Sequence, residues 1–443
     1  MSPIEVFRLF APNSLYESIA KFSDGGVSMA DIMQFIACMY GFSITKLSCV
    51  RDTWNVKESF LSSAHNFGEV LGMTYGSFDE VRKNIRFGPN HAEMKSYDEI
   101  DNLVVMFNDN MSRIFIPGGH VTVDESTSGW HGMTEKYPSG PPNLTKMLGK
   151  PESVSFMLKS IADAETRIIF KIELQEGKDA MSRKEFSDVM KPTAACVRRL
   201  IKGLEGTGRT IFMDAWFTNY ETMTAVMESG NFMTGMVKNG SAGLPKKELS
   251  QHQYRRRGDH KILHHEVNGQ RVICLGWNEP GTKEGKKNAA QKNFLSTAFC
   301  GVSVDPWERD RHILNDSGKV VCVSMNIPQP LLVQQYFQAA NAVDIHNQYR
   351  QHELELERVW STHSWRVRIF QTVMGMTLVN AYLAFKHFKG TQLTMTEFAK
   401  QIVAGLVEDA KAIGGRGGGA GDGGMGQVGY RRGKGGGHRA GNS

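Results

Sequence analysis

Two β-prone runs that each close on an aspartate, set in a definite order of elements, constrain this chain most. The first is Val121-Thr122-Val123, which follows a Pro-Gly-Gly break and ends in Asp124; the second is Thr210-Ile211-Phe212-Met213, which ends in Asp214. Between them lie two more strand-like runs, 153–161 and 167–174, joined by the polar turn Asp163-Ala164-Glu165. A helix is expected to start near Ser182, with Glu185 completing a capping box. A second helix carries Val197, Leu200, Ile201 and Leu204 on one face. A short helix over 220–228 and a strand over 232–237 follow. The order βββ–α–β–α–β predicts an α/β fold, a mixed sheet with flanking helices, with aspartates ending its first and fourth strands.

A third acid comes later. From Pro330 the pattern turns helical, with Leu332, Tyr336, Ala339 and Val343 on an apolar face and Asp344 at its end. Three carboxylates meeting at one edge of a sheet bind hard cations such as Mg²⁺ or Mn²⁺. Two such ions ~3.5–4 Å apart activate an attacking oxygen and stabilise a leaving one in phosphodiester chemistry. Glu125 points to the other face of a continuing strand and makes a poor fourth ligand. Asn347 shares a helix face with Asp344 and offers a carbonyl oxygen without a charge. An aspartate that ends a strand also serves as a plain turn residue, so spacing alone leaves both readings open.

At 443 residues and 40% apolar composition, the chain can form several units with a sizeable core. Its longest apolar-leaning stretch, 373–385, falls short of the ~20 residues of a bilayer span, and the N-terminal MSPIEVFRLF has no secretory-signal pattern. No membrane partner is expected. The six cysteines form no CxxC pair, which fits a reducing compartment and predicts no zinc site. The first ~110 residues read as helical: Ser28 to Asp31 has an N-cap pattern, and Ile32, Phe35, Ile36, Met39 and Tyr40 follow on one face. Residues 246–323 read as a β-rich basic insertion. Within it, Lys246, Lys247, Arg255, Arg256 and Arg257 form a phosphate stripe, a nuclear import signal or a solvated face. The adjacent His264 and His265 point to opposite faces of a strand and are not expected to share an ion. Trp365 with Arg366 and Arg368 either contacts DNA by stacking and phosphate pairing or is a buried Trp with solvated arginines. Trp216 and Phe217 are core plugs or a stacking surface for a flipped base. The segment 414–443 is glycine-rich, with Arg416, Arg431, Arg432, Lys434 and Arg439 against Asp422. It is expected to be a disordered basic tail that either touches phosphates or only solubilises.

The motifs in their order resemble the piggyBac family of transposases. VTVDES (121–126), Lys150-Pro151, Lys159, IFMDAWFTNYETM (211–223), TGMVKNGSAGLPKKEL (234–249), VQQYFQAANAVDIHNQYR (333–350) and the Trp/Arg stretch 360–385 ending in Asn-Ala-Tyr carry the resemblance. So do the helical runs 30–54 and 78–87. The resemblance implies a DDE/D recombinase with an RNase H-like core that uses two divalent ions. Such an enzyme nicks double-stranded DNA at transposon ends, forms a hairpin, and joins the ends to TTAA targets in the nucleus, as a homodimer that pairs two ends. Position by position, Asp124, Asp214 and Asp344 match the family's three acids. Asn347 stands where the family usually has a fourth acid, and the Cys/His-rich C-terminal zinc domain of many members has no counterpart after Cys322. The alternative is a domesticated, catalytically weakened or inactive transposase-derived protein that binds DNA without cutting. The implied division is a helical N-terminal region for dimerisation or DNA binding (1–110), the first part of the core (111–245), the insertion (246–323), the last part of the core (324–390), a C-terminal helix (391–413) and the tail (414–443).

Overall fold

The computed structural model describes residues 1–47, 49–55, 66–89, 96–147, 152–238, 241–256, 258–278, 291–298 and 304–414. The basic tail expected after Gly414 and the Lys150-Pro151 pair lie outside them.

The chain begins with helices α1 (Pro3–Phe10), α2 (Asn13–Phe22), α3 (Met29–Thr45), α4 (Phe67–Val70), α5 (Tyr75–Asn84) and α6 (Asp98–Ile114). Ser28 caps α3 as its sequence requires: its hydroxyl accepts from the Asp31 N–H at 3.2 Å, and the Asp31 carboxylate accepts from the Ser28 N–H at 2.9 Å. There follow β1 (His120–Gly129), β2 (Thr145–Lys146), β3 (Val154–Asp163), β4 (Ile169–Leu174), α7 (Lys178–Ser182), α8 (Pro192–Leu200), β5 (Thr210–Met213), α9 (Tyr220–Glu228) and β6 (Phe232–Val237). Next come α10 (Lys246–Ser250), β7 (His260–Val267), β8 (Gln270–Asn278), β9 (Gln291–Ser296), β10 (Val304–Leu314) and β11 (Val320–Pro330). The chain closes with α11 (Leu331–Ala339), α12 (Ala342–Gln348), a π-helical turn (Tyr349–Leu354), α13 (Leu356–Val359), α14 (Trp365–Lys389) and α15 (Met395–Gly414).

The main sheet runs β2-β3-β1-β5-β6-β9-β8-β7, with β4 also on β3. β1 is antiparallel to β3 and parallel to β5, and β5 is parallel to β6. This is a mixed sheet with flanking helices, the RNase H-like arrangement that the family resemblance implied. β7 to β9 of the basic insertion extend this same sheet through β6 and β9, whereas among the described residues β10 and β11 pair with each other as a separate two-stranded ribbon whose β11 is largely exposed.

Three local expectations are corrected. The helix expected from Ser182 ends there instead: Phe186 adopts φ +67°, Glu185 pairs with Lys202 at 2.7 Å, and the next helix opens on Pro192. Asp124 does not end its strand, because β1 continues to Gly129. The apolar face from Leu332 to Val343 is not one helix, because the chain breaks at Ala340-Asn341 and Asp344 falls in the first turn of α12.

The N-terminal helices share their core with the last ones. α3 is apolar almost all round, as a helix enclosed on every side must be, and it packs on α15. The buried Tyr40 hydroxyl donates to the Met374 carbonyl of α14 at 2.9 Å. Trp360 completes an aromatic cluster with Phe35, Phe42 and Phe78, whose ring centroids lie 5.4–5.7 Å from its own.

Candidate active site

Parallel pairing explains how two distant aspartates meet. Val121, Thr122 and Val123 of β1 stand opposite Ile211, Phe212 and Met213 of β5. The next position on each strand is the acid, so Asp124 and Asp214 emerge side by side where β5 stops. On Asp214 the carboxylate folds back on its own loop, accepting from the Trp216 N–H at 2.8 Å. The third acid arrives on α12, which packs against β1. Thr122 ties the preceding helix to the same strand, its hydroxyl donating to the Ala339 carbonyl at 2.8 Å.

The electrostatics record the convergence. Burial pushes the Asp124 carboxyl up to about 7; the Glu125 N–H opposes this, and the charges of Asp344, Asp214 and Glu125 add to it. Burial raises the Tyr336 hydroxyl, and the charges of Asp214, Asp124 and Asp344 raise it further. One tyrosine on α11 thus feels all three acids. Negative charge from Asp214 and the exposed Asp344 acting on the largely buried Asp124 carboxyl would be relieved by a counter-cation.

The donor set fits a hard divalent ion, because every candidate ligand is oxygen. Among the described residues no group of three His, Cys, Asp or Glu side chains closes on a single ion. Asp124, Asp214 and Asp344 are the side chains that would hold it. Asn347 is engaged elsewhere: its amide nitrogen donates to the Glu125 carbonyl at 3.4 Å, and its oxygen accepts from Arg350 at 3.3 Å.

Sequence reasoning missed the residues that hold α12 in place. His346 is fully buried, and its ring meets the Asn380 side-chain oxygen at 3.2 Å. Asn380 in turn accepts from the Ile169 N–H at 2.9 Å and donates to the Ile169 carbonyl at 2.7 Å, near an irregular register between β3 and β4. Burial, then the charge of Arg350, push the His346 imidazole down to about 3, so it packs as the neutral ring. Arg350, also buried, donates to the Thr127 carbonyl of β1 at 2.7 Å and pairs with Glu357. The run 344–353 is polar almost throughout, so nothing in it singled out His346 and Arg350 as the buried ones.

The proposed DNA contacts divide. Lys247, Arg255 and Arg256 are exposed, whereas the Lys246 side chain and Arg257 lie outside the described residues. Trp365 and Arg368 are buried, which corrects the expectation that they face DNA: Trp365 packs edge-on against Tyr97 at 5.4 Å, and Arg368 donates to the Glu357 carbonyl. Arg366 is part-exposed, lies 4.4 Å from the Trp365 ring and pairs with Glu99 at 2.6 Å. Phe217 is a core residue, but Trp216 keeps 40% of its surface in solvent. No described helix is long and apolar enough to cross a membrane.

A sequence model of the family described as Transposase IS4, a DDE transposase family, matches residues 2–382. Among solved structures, that of a piggyBac transposase synaptic complex with hairpin DNA, determined by cryo-EM, aligns at a TM-score of 0.69 and 16% identity, covering 93% of this chain and 81% of that one. None of the curated protein sequences compared matches the chain.

Proposed function

The chain belongs to the Transposase IS4 family and has the fold of a piggyBac transposase, and from that premise we propose that it cuts and joins DNA strands through Asp124, Asp214 and Asp344. The observation that supports this reading is that the charges of Asp214, at the end of β5, and Asp344, on α12, both bear on the buried Asp124 carboxyl of β1 and on Tyr336. A pair of Mg²⁺ or Mn²⁺ ions bound there would supply Lewis acidity to the attacking and leaving oxygens of the phosphodiester. The chain's own part is to hold its oxygens fixed. Parallel pairing aligns Asp124 with Asp214, the turn N–H of Trp216 orients Asp214, and the His346–Asn380 contact seats the helix that carries Asp344. TTAA target choice, hairpin formation, pairing of two ends by a homodimer and a nuclear location belong to this proposal by family resemblance.

A second reading, a DNA-binding protein that no longer cuts, is favoured by Asn347, whose amide serves packing and adds no charge. One experiment separates the two. The purified chain is incubated with a supercoiled TTAA-containing plasmid in Mg²⁺ or Mn²⁺, beside its Asp214→Ala and Asn347→Asp forms. The wild type is expected to nick, with Asp214→Ala slower by about 10³-fold, as befits a loss of several kcal/mol of transition-state stabilisation. Nicking by Asn347→Asp alone would establish the second reading. Equal nicking by wild type and Asp214→Ala would sink the site.

The exposed arginines give a separate test. Arg255→Ala with Arg256→Ala is expected to weaken duplex binding uniformly across sequences. It should also lower the dependence of log K on log salt by about 2, one unit per lost phosphate contact. An unchanged salt slope would return these residues to a solvated face.

A further inference from the structure

A cleft of about 340 Å³ opens at the other end of β1 from the acids. His120 begins that strand, and Asp124 lies about 13 Å further along it. The walls are the Gly118-Gly119 approach to β1, the turn that joins β3 to β4, and α11, which brings Gln335 and Gln338 on one face. The turn carries Arg167, and two properties of that residue call for a cause. Its φ is +66°, a conformation that glycine takes freely and an arginine takes at a cost. Its Nη1 is shut off from solvent and has no acceptor among the described residues. The Asp163 carboxylate of the same turn is engaged elsewhere. One of its oxygens accepts from the Glu165 N–H at 3.1 Å, the Thr166 N–H at 2.7 Å and the Thr166 hydroxyl at 2.8 Å, and the other accepts from the Gly118 N–H at 2.7 Å. Those donors take up the lone pairs a carboxylate has to offer. Burial lowers the basicity of the Arg167 guanidinium, and the charges of Asp163 and Glu165 oppose this only in part. A desolvated cation with an unused donor is stabilised by an oxyanion that reaches it.

We propose that this cleft binds a small phosphate-bearing anion, held by the Arg167 guanidinium from the turn and by the Gln335 and Gln338 amides from α11. Donors that approach from two sides suit a tetrahedral group better than a planar one, and the guanidinium fork meets phosphate oxygens in pairs. Gly119 leaves the room: a Cβ there would meet nothing within 4 Å. Glu165, exposed at the rim, works against the anion. A free phosphate ion and the phosphate of a mononucleotide present the same group to Arg167. The proposal does not depend on strand cutting, since the acids stand at the opposite end of the strand.

The test uses the full chain in metal-free buffer, with ionic strength held constant by chloride. It is titrated with inorganic phosphate and with thymidine monophosphate, followed by phosphorus NMR, and a short paired duplex serves as competitor. The wild type is expected to bind phosphate with a Kd of about 1 mM, the strength that a few charge-assisted hydrogen bonds give a small ion. Arg167→Gly suits the backbone of this turn and so keeps the fold, but should weaken binding by about tenfold or more. Gly119→Leu, which fills the cleft, should do the same. Glu165→Gln should tighten binding by about threefold. A mononucleotide that binds more tightly than phosphate would assign the cleft to nucleotides, and equal affinity would assign it to the free ion; both support the proposal. Phosphate binding unchanged in Arg167→Gly, or no binding of either small anion by the wild type, would overturn it. Displacement of bound phosphate by the duplex would assign the group to a DNA backbone and overturn the small-ligand assignment.

Discussion

Asp124→Asn is expected to stabilise the metal-free protein above pH 7 while abolishing strand cleavage. Burial and the charges of Asp344 and Asp214 hold this carboxyl at about 7, against an ordinary value near 4. Between those values the folded chain binds more protons than the unfolded one. The contribution of Asp124 to stability is therefore complete below about pH 4 and is lost as pH rises through about 7. Three units correspond to about 4 kcal/mol. About two of those units fall between pH 5 and pH 8, which in a chain of this length is a fall of about 3 °C in Tm over that range in EDTA. The Asn variant, with nothing to ionise at this position, should lack this fall and keep only the pH dependence of other groups such as Asp101, whose carboxyl burial raises to about 6. Added Mg²⁺ should raise the Tm of the wild type at pH 8 and leave the variant almost unmoved. A variant that melts below the wild type at pH 8 in EDTA would show that the three acids do not crowd one another.

The second large effect is expected at Arg350. Its side chain is almost completely enclosed, pairing with Glu357 and donating to the Thr127 carbonyl and to Asn347. Gly375 of α14 lets it lie there, since a Cβ at that position would sit 3.2 Å from the Arg350 Cγ. Arg350→Met leaves the Glu357 carboxylate unpaired, while the Thr127 carbonyl keeps its bond from Gln351 at 2.9 Å, at a cost of about 3–5 kcal/mol by chemical denaturation. Adding Glu357→Gln should recover a large part, because the stranded charge dominates the loss. A single variant as stable as the wild type would mean that the guanidinium does not tie α12 and the following turn to β1.

Much of this was legible locally. Asn219 caps α9 by accepting from the Thr222 N–H at 2.9 Å, Gly230 at φ +71° turns the chain after it, and both α9 and β6 fall where periodicity put them. These elements carry their own start and stop signals. The acids were legible too, though through a shared register rather than as strand ends: Asp124 lies within β1 and meets Asp214 because β5 is short. What could not be read was fixed by partners far away in sequence. The break before α12 has no proline or glycine to mark it. Trp365 and Arg368 have the composition of a DNA-binding surface, yet Tyr97 and Glu357, from other parts of the chain, enclose them. The anchoring of α12 runs through Asn380 to Ile169, a link visible only once α14 lies across β4.

The packing of α3 against α15 also governs the order of events during synthesis. Arg8 and Asp409 meet at 2.6 Å across 401 positions of sequence. At ordinary ribosomal speeds, about 20–80 s separate the appearance of these two residues. Throughout that interval the face of Met29–Thr45 that α15 will cover stays open, while α2 and α5 already pack on the helix. Asp344, too, reaches the ribosome exit long after Asp124 and Asp214. A product stalled before α12 therefore carries two of the acids and a helix α3 with one apolar face uncovered. Such a product is incapable of the proposed cut, so the proposed chemistry waits until α12 has been made and docked on β1.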